Sequence, residues 1–253
     1  MGVKQLHEKH QQKQWVDKVV WWITIVVSSL FSIYTLPFIS GKFDIYKFFT
    51  LSYGMGRIEE AGLHILRNVR LWQVHSVCAL GYVVIAPSQF NPKWRNKHLL
   101  MHRRLGYVYA FFSVVASITG WMMIKHSELG PVALGMSRIM SPWSIITLVL
   151  SINAARRRDL QSHRRWMFRS AAIGYGVVYT RFITPLISLI FLCKVDIALE
   201  CSFFIVWVVN LLLLEIYIQI YLTDATKKKV TKSIPQQEAK IVTEMNVLYQ
   251  WVQ

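Results

Sequence analysis

HRRLGYVYAFFSVVASITGWMMI, residues 102–124, opens on three basic or titratable side chains and then runs uncharged for twenty residues. At 1.5 Å per residue, twenty helical residues cover ~30 Å, the thickness of a bilayer's hydrocarbon layer. Apolar and polar residues do not alternate as in a strand of a membrane barrel. Nor do apolar residues keep to one stripe, as in a helix of a soluble protein. Without water to satisfy it, a lipid-exposed backbone must bond to itself, so the run reads as a transmembrane helix.

Five more runs have the same character. Together the six are Val19–Phe38, Leu71–Phe90, Leu105–Ile124, Pro131–Asn153, Arg165–Leu192 and Cys201–Leu222. Hydrophobic residues make up 54% of the 253, and mean hydropathy is +0.34. The pattern predicts an all-α protein, a six-span transmembrane helical bundle. Residues 1–18 form a polar N-terminal segment and 19–222 the membrane domain, with 39–70 between the first two spans on the outer side. Residues 223–253 form a tail, where Ile241, Met245, Leu248 and Val252 recur at helical spacing. The tail reads as an interfacial helix, a helix that docks on a partner, or a frayed end. The apolar run after residue 18 is too long for a signal-peptide core and reads as an anchor.

Charge orients the bundle. An even number of spans puts both termini on one side, with Lys93–Arg104 and Arg156–Arg165. That side collects 19 of the 29 basic residues, against 7 opposite. The positive-inside rule then places both termini in the cytosol, or in the matrix if the membrane is the mitochondrial inner one. The net charge of +16 is explained by this asymmetry and by anionic lipid headgroups, with no nucleic acid required. The three cysteines make no disulfide framework. Cys193 and Cys201 flank a short outer loop and read as two thiols or one bridge, and Cys78 as packing.

Polar groups inside a bilayer are expensive and tend to face the bundle interior. His102-Arg103-Arg104 and His163-Arg164-Arg165 stand at the starts of the third and fifth spans, at similar depth. Two neutral imidazoles facing one another could hold haem b, with propionates on Arg103, Arg104, Arg164, Arg165 or Arg169. The alternative is two interfacial histidines with arginines on lipid phosphate. His75 has no histidine opposite it, although Met136 and Met140 could offer a sulfur. With Arg138 and Arg181 it could instead frame a polar pocket for an anionic or quinone-like ligand, or for carbonyls and water. His98, His102 and His163 could also serve a zinc hydrolase, with Glu215 as the nearest buried acid. Trp72, Trp94, Trp121 and Trp166 read as interface anchors.

Trp72-Gln73-Val74-His75, His102–Tyr109, Ser117-Ile118-Thr119-Gly120, His163–Ser170 and Thr180-Arg181 together resemble the uncharacterised polytopic family called domain of unknown function 2306, over roughly residues 60–192. That resemblance implies a membrane bundle and brings no activity with it. More remotely, histidines on alternate helices are similar to cytochrome b561-type membrane cytochromes, which implies haem and electron transfer. Those proteins pair histidines on both sides of the membrane, whereas here only His102 and His163 pair. The sequence thus reads as a membrane electron-transfer protein with haem b and a quinone or small reductant as partner. The rivals are an accessory subunit of a respiratory or other membrane assembly, bound to anionic lipid, and the zinc hydrolase. The charge asymmetry predicts that tags at both termini are protected on one face while a tag within residues 39–70 is reached from the other. A tag there that reports the same face as the tail would require an odd number of spans.

Overall fold

A computed structural model describes residues 3–40, 68–124 and 130–223. The expected outer segment and C-terminal tail lie almost wholly outside these residues. The chain divides into two compact units, Met1–Leu211 and Leu212–Gln253. The first is an all-α bundle of α1 (Val3–Ser40), α2 (Val69–Phe90), the short α3 (Pro92–Lys97), α4 (Leu99–Ile124), α5 (Pro131–Arg156), α6 (Leu160–Phe191) and most of α7 (Val195–Tyr217). The described part of the second is the end of α7 and a π-helical turn, Ile218–Thr223. Among the described residues six helices are long and apolar enough to cross a membrane: α1, α2, α4, α5, α6 and α7. The protein is therefore an integral, multi-pass membrane protein whose helices contact lipid.

Helix starts differ from the hydropathy boundaries. α1 begins at Val3, so the polar residues 3–18 continue into the first span as one helix. α4 starts at Leu99 and α6 at Leu160, about one and a half turns before their apolar runs. Hydropathy registers where lipid begins, whereas a helix starts where its amides find a cap. Asp159 provides one, accepting from the Ser162 N–H at 3.0 Å, and hydrogen bonds from the Ser162 hydroxyl and then its amide hold the carboxyl below the usual carboxylate range. Asn91 starts α3 likewise, accepting from the Lys93 and Trp94 amides before Pro92 in the first turn.

Successive spans pack as antiparallel neighbours, α1 on α2, α2 on α4, α4 on α5 and α5 on α6, and α6 returns against α1. Between lipid-exposed helices there is little hydrophobic drive, so close packing and hydrogen bonds have to join them. Ser117 and Ser144 hydroxyls meet at 2.6 Å between α4 and α5. Thr184 and Ser202 meet at 2.7 Å between α6 and α7. α7 also donates from the buried Trp207 Nε1 to the Ile173 carbonyl at 3.1 Å. Gly176 makes that approach possible, because a Cβ there would overlap the Trp207 indole. Where α5 begins, the Glu200 carboxylate on α7 accepts from the Val132 amide at 2.7 Å and the Ala133 amide at 3.2 Å. This supplies an anion at a helix N-terminus.

One network ties three spans. Pro87 has no N–H, so the Val83 carbonyl of α2 loses its intrahelical donor. Val83 is 0% exposed, beyond the reach of water. The Tyr175 hydroxyl of α6 donates to that carbonyl at 3.2 Å. Its oxygen is 2.8 Å from Ser28 Oγ on α1, which must then be the donor. Tyr175→Phe should destabilise the protein by about 1–3 kcal/mol, the cost of a buried unsatisfied group. The drop in unfolding midpoint should shrink in a Pro87→Ala background, where the N–H returns. Equal losses in both backgrounds would mean Tyr175 acts by another route.

Candidate functional site

His102 and His163 are each the fourth residue of their helix, α4 and α6. The α5–α6 hairpin turns about Arg157, so that Ser151 faces His163 and Ser144 faces Ser170. His163 Nδ1 lies 3.0 Å from the Ser151 carbonyl oxygen and 2.9 Å from Ser151 Oγ. A carbonyl only accepts, so Nδ1 carries the proton and Nε2 keeps a lone pair. The Ser151 hydroxyl donates in return to the His163 carbonyl at 3.2 Å. His102 Nδ1 is buried and has no hydrogen-bond partner among the described residues. The charged or titratable neighbours that bear on His102 are Arg95, His163 and Arg103. The two histidines are therefore brought into each other's field at the ends of the bundle that carry the His-Arg-Arg sequences.

The arginines diverge more than the sequence implies. Arg103 and Arg104 are exposed. Arg165 donates to Ser162 Oγ at 3.2 Å. Arg169 lies over the Trp166 ring, 4.7 Å from its centroid. Arg164 faces Arg95 of α3, a residue that the reading of spans passed over. Burial, with the Arg164 guanidinium close by, pushes Arg95 below the ordinary arginine range. The signal for Arg95 was Asn91-Pro92, a helix start that folds the loop back beneath α4. His98, expected with His102 and His163 in the zinc reading, is exposed, with its ring 5.7 Å from that of Trp94. Among the described residues no three His, Cys, Asp or Glu side chains gather to hold a metal ion. Cys78, Cys193 and Cys201 are free thiols, and Glu215 belongs to the second unit.

A second feature lies further along the same helices. A cavity of about 270 Å³ opens between the spans, lined by residues that include His75, Ser117, Gly120, Met140, Ser144 and Arg181. Neither His102 nor His163 reaches it. His75 Nδ1 is 3.0 Å from Thr119 Oγ1, whose own proton points to the Val115 carbonyl at 2.7 Å, so the imidazole donates. Gly120 gives the ring room, because a Cβ there would sit 3.3 Å from His75 Cε1. Arg181 bears electrostatically on His75. Arg138 departs from the expected pocket: it is exposed and lines no part of it. On α5 the cavity-facing stripe is Ser137, Met140, Ser141 and Ser144, and one residue past Ser137 turns ~100° away from it. Trp72, expected as an interface anchor, lines the cavity instead. Met136 packs with Ala133, Phe203 and Trp207.

A family model described as a predicted membrane protein, DUF2306, matches residues 72–218, from the first turn of α2 through α7. No curated protein matches the chain, and no solved structure does.

The orphaned Nδ1 generates its own expectation. Burying a polar atom without a partner costs about 1–3 kcal/mol, so His102→Leu should raise the unfolding midpoint of protein purified without added ligand. A midpoint that falls would mean that Nδ1 has a partner in the purified protein, whose identity mass spectrometry of that sample would give.

Proposed function

The chain belongs to the DUF2306 family of predicted membrane proteins, and within it we propose a membrane electron-transfer protein that holds haem b between His102 and His163, with a quinone or a small reductant as partner. The observation that carries the reading is the state of the two imidazoles. The backbone carbonyl of Ser151 fixes the proton on His163 Nδ1 and leaves Nε2 bare. A metal-ligating histidine is commonly oriented in this way, by donating its other ring N–H to a backbone carbonyl. Next to it, His102 keeps a buried Nδ1 with no described partner. When bound, a haem supplies a one-electron iron centre whose potential its surroundings tune.

The chain's own residues would do the rest. Ser151 holds the His163 ring against rotation through both its carbonyl and its hydroxyl. Arg95 and Arg103 bring positive charge to His102, and Arg164 adds its own beside Arg95. The N-terminal turns of α4 and α6 add partial positive charge of the same sign. Like charges so arranged favour an anion, and two propionates meet that need.

A second reading draws on the exposed Arg103, Arg104, Arg156, Arg157 and Arg158. They suit anionic headgroups, as in an accessory subunit of a membrane assembly that carries no cofactor. Expression with ample haem separates the two. The first reading expects a reducible Soret band that His102→Ala and His163→Ala each abolish, while Arg104→Gln leaves it in place. A folded, colourless protein overturns that reading, and zinc found in the colourless sample by elemental analysis would favour the hydrolase.

A further inference from the structure

We infer that the cavity among the spans is an aqueous inlet. It admits water and small hydrophilic solutes from the face opposite the His-Arg-Arg sequences, as far in as Ser113, and brings them to His75 Nε2. This goes beyond the haem reading and uses none of its residues, so a colourless protein leaves it standing.

Uncommitted polar atoms carry the argument. His75 Nδ1 spends its proton on Thr119 Oγ1, 3.0 Å away, which leaves Nε2 with a lone pair. Among the described residues Nε2 has no hydrogen-bond partner. Nor is it a sealed orphan as His102 Nδ1 is, so on a ring that lines the cavity it opens into that space. The same holds for five hydroxyls in the lining: Ser76 and Tyr82 on α2, Ser113 on α4, and Ser137 and Ser141 on α5. None of these side chains makes a hydrogen bond among the described residues, and none is closed off. Ser117 and Ser144, which also line the cavity, bond to each other instead. Within a membrane a hydroxyl without a partner is costly, and an acyl chain offers it none. The occupant must therefore hydrogen-bond. A hydroxyl both donates and accepts, whereas Nε2 only accepts; water meets every one of these groups. One water needs roughly 10–15 Å³ of such space, and the cavity offers about 270 Å³.

The side on which it opens follows from where the lining stops. Trp72 lies in the first turn of α2, Leu199 just past the first turn of α7, and Ile124 is the last residue of α4. At these helix ends, opposite the His-Arg-Arg sequences, the cavity comes within about a turn of the limit of the spans. Towards the other face the lining ends at Ser113 on α4, Ser144 on α5 and Ser170 on α6. Each helix continues for ten residues or more beyond that level, about 15 Å of rise. Buried Tyr109 and Leu148 fill the core there. From Ile124 inward to Ser113 the helix rises ~16 Å, about half of a ~30 Å hydrocarbon layer.

The test adds single cysteines to the full chain in sealed vesicles of known orientation, and maps adducts by peptide mass spectrometry so that the native cysteines stay in place. A thiol reacts as its thiolate, which apolar surroundings suppress. Ser137→Cys and Ser113→Cys should react with charged, membrane-impermeant methanethiosulfonates added at the face opposite the His-Arg-Arg sequences, and not from the other face. Ile139→Cys, on the exposed flank of α5, should stay unmodified. Diethyl pyrocarbonate, which acylates a neutral imidazole nitrogen, should modify His75, and a bulky adduct already on Ser137→Cys should lower that yield. Folded variants in which neither Ser113→Cys nor Ser137→Cys reacts would overturn the inlet. So would Ile139→Cys reacting as fast as they do, or Ser113→Cys reacting faster from the His-Arg-Arg face. His75 left unmodified, or modified equally with Ser137→Cys blocked, would overturn the route to Nε2.

Discussion

The Val83 carbonyl is the constraint on which the bundle turns. Pro87 removes its helical donor, Val83 is fully buried, and the Tyr175 hydroxyl restores the bond. Tyr175 can reach it only if α6 crosses α2 at that level, and its oxygen then meets Ser28 of α1. A backbone defect in one span thereby fixes the position of two others. The same economy of polar groups recurs at Ser117 with Ser144 and at Thr184 with Ser202. In lipid an apolar face is content against acyl chains, so these few polar contacts and the close approaches at glycine carry the specificity of helix pairing.

That pairing sets what each end of the bundle can do. The α5–α6 hairpin, turning about Arg157, aligns Ser151 with His163 and Ser144 with Ser170. The α4–α5 hairpin, turning about Gly130, aligns Ser117 with Ser144. At the His-Arg-Arg end the outcome is two imidazoles among like charges. Further in, a gap stays open between the spans, lined in part by small side chains such as Ala79, Ala116, Gly120 and Ser144. The His102–His163 pair and the open volume therefore occupy different levels of the same helices.

The six spans were legible because span length is a one-dimensional property: about twenty predominantly apolar residues match a bilayer whatever they pack against. The matched depth of His102 and His163 was legible for the same reason, since each follows a charged loop by the same count. Pairing was not legible. Nothing in the sequence near Tyr175 names Val83, and Pro87 signals a missing donor without saying who replaces it. Arg138 was placed by depth alone, although the stripe of Ser137, Met140, Ser141 and Ser144 turns it outward. Arg95 was overlooked because a six-residue helix in a loop leaves no trace in hydropathy. Its role depends on Arg164, 69 positions away.

Arg138 and Arg181 show why depth and direction must be argued together. Both are cations within apolar runs, and each precedes a proline by four residues, Pro142 and Pro185. Each proline therefore takes the donor from the carbonyl of its own arginine. The local chemistry is the same, yet one side chain is exposed and the other lines the cavity. The difference comes from neighbours. α6 lies within the bundle with α2, α5 and α7 against it, so the flank that carries Arg181 meets protein. α5 packs on α4 and α6 and turns its remaining flank, with Ile139, Trp143 and Ile146, away from the protein. A long cation on that flank can carry its charge along the helix towards headgroups. Arg181, half-buried, lines the cavity instead and bears on His75 there.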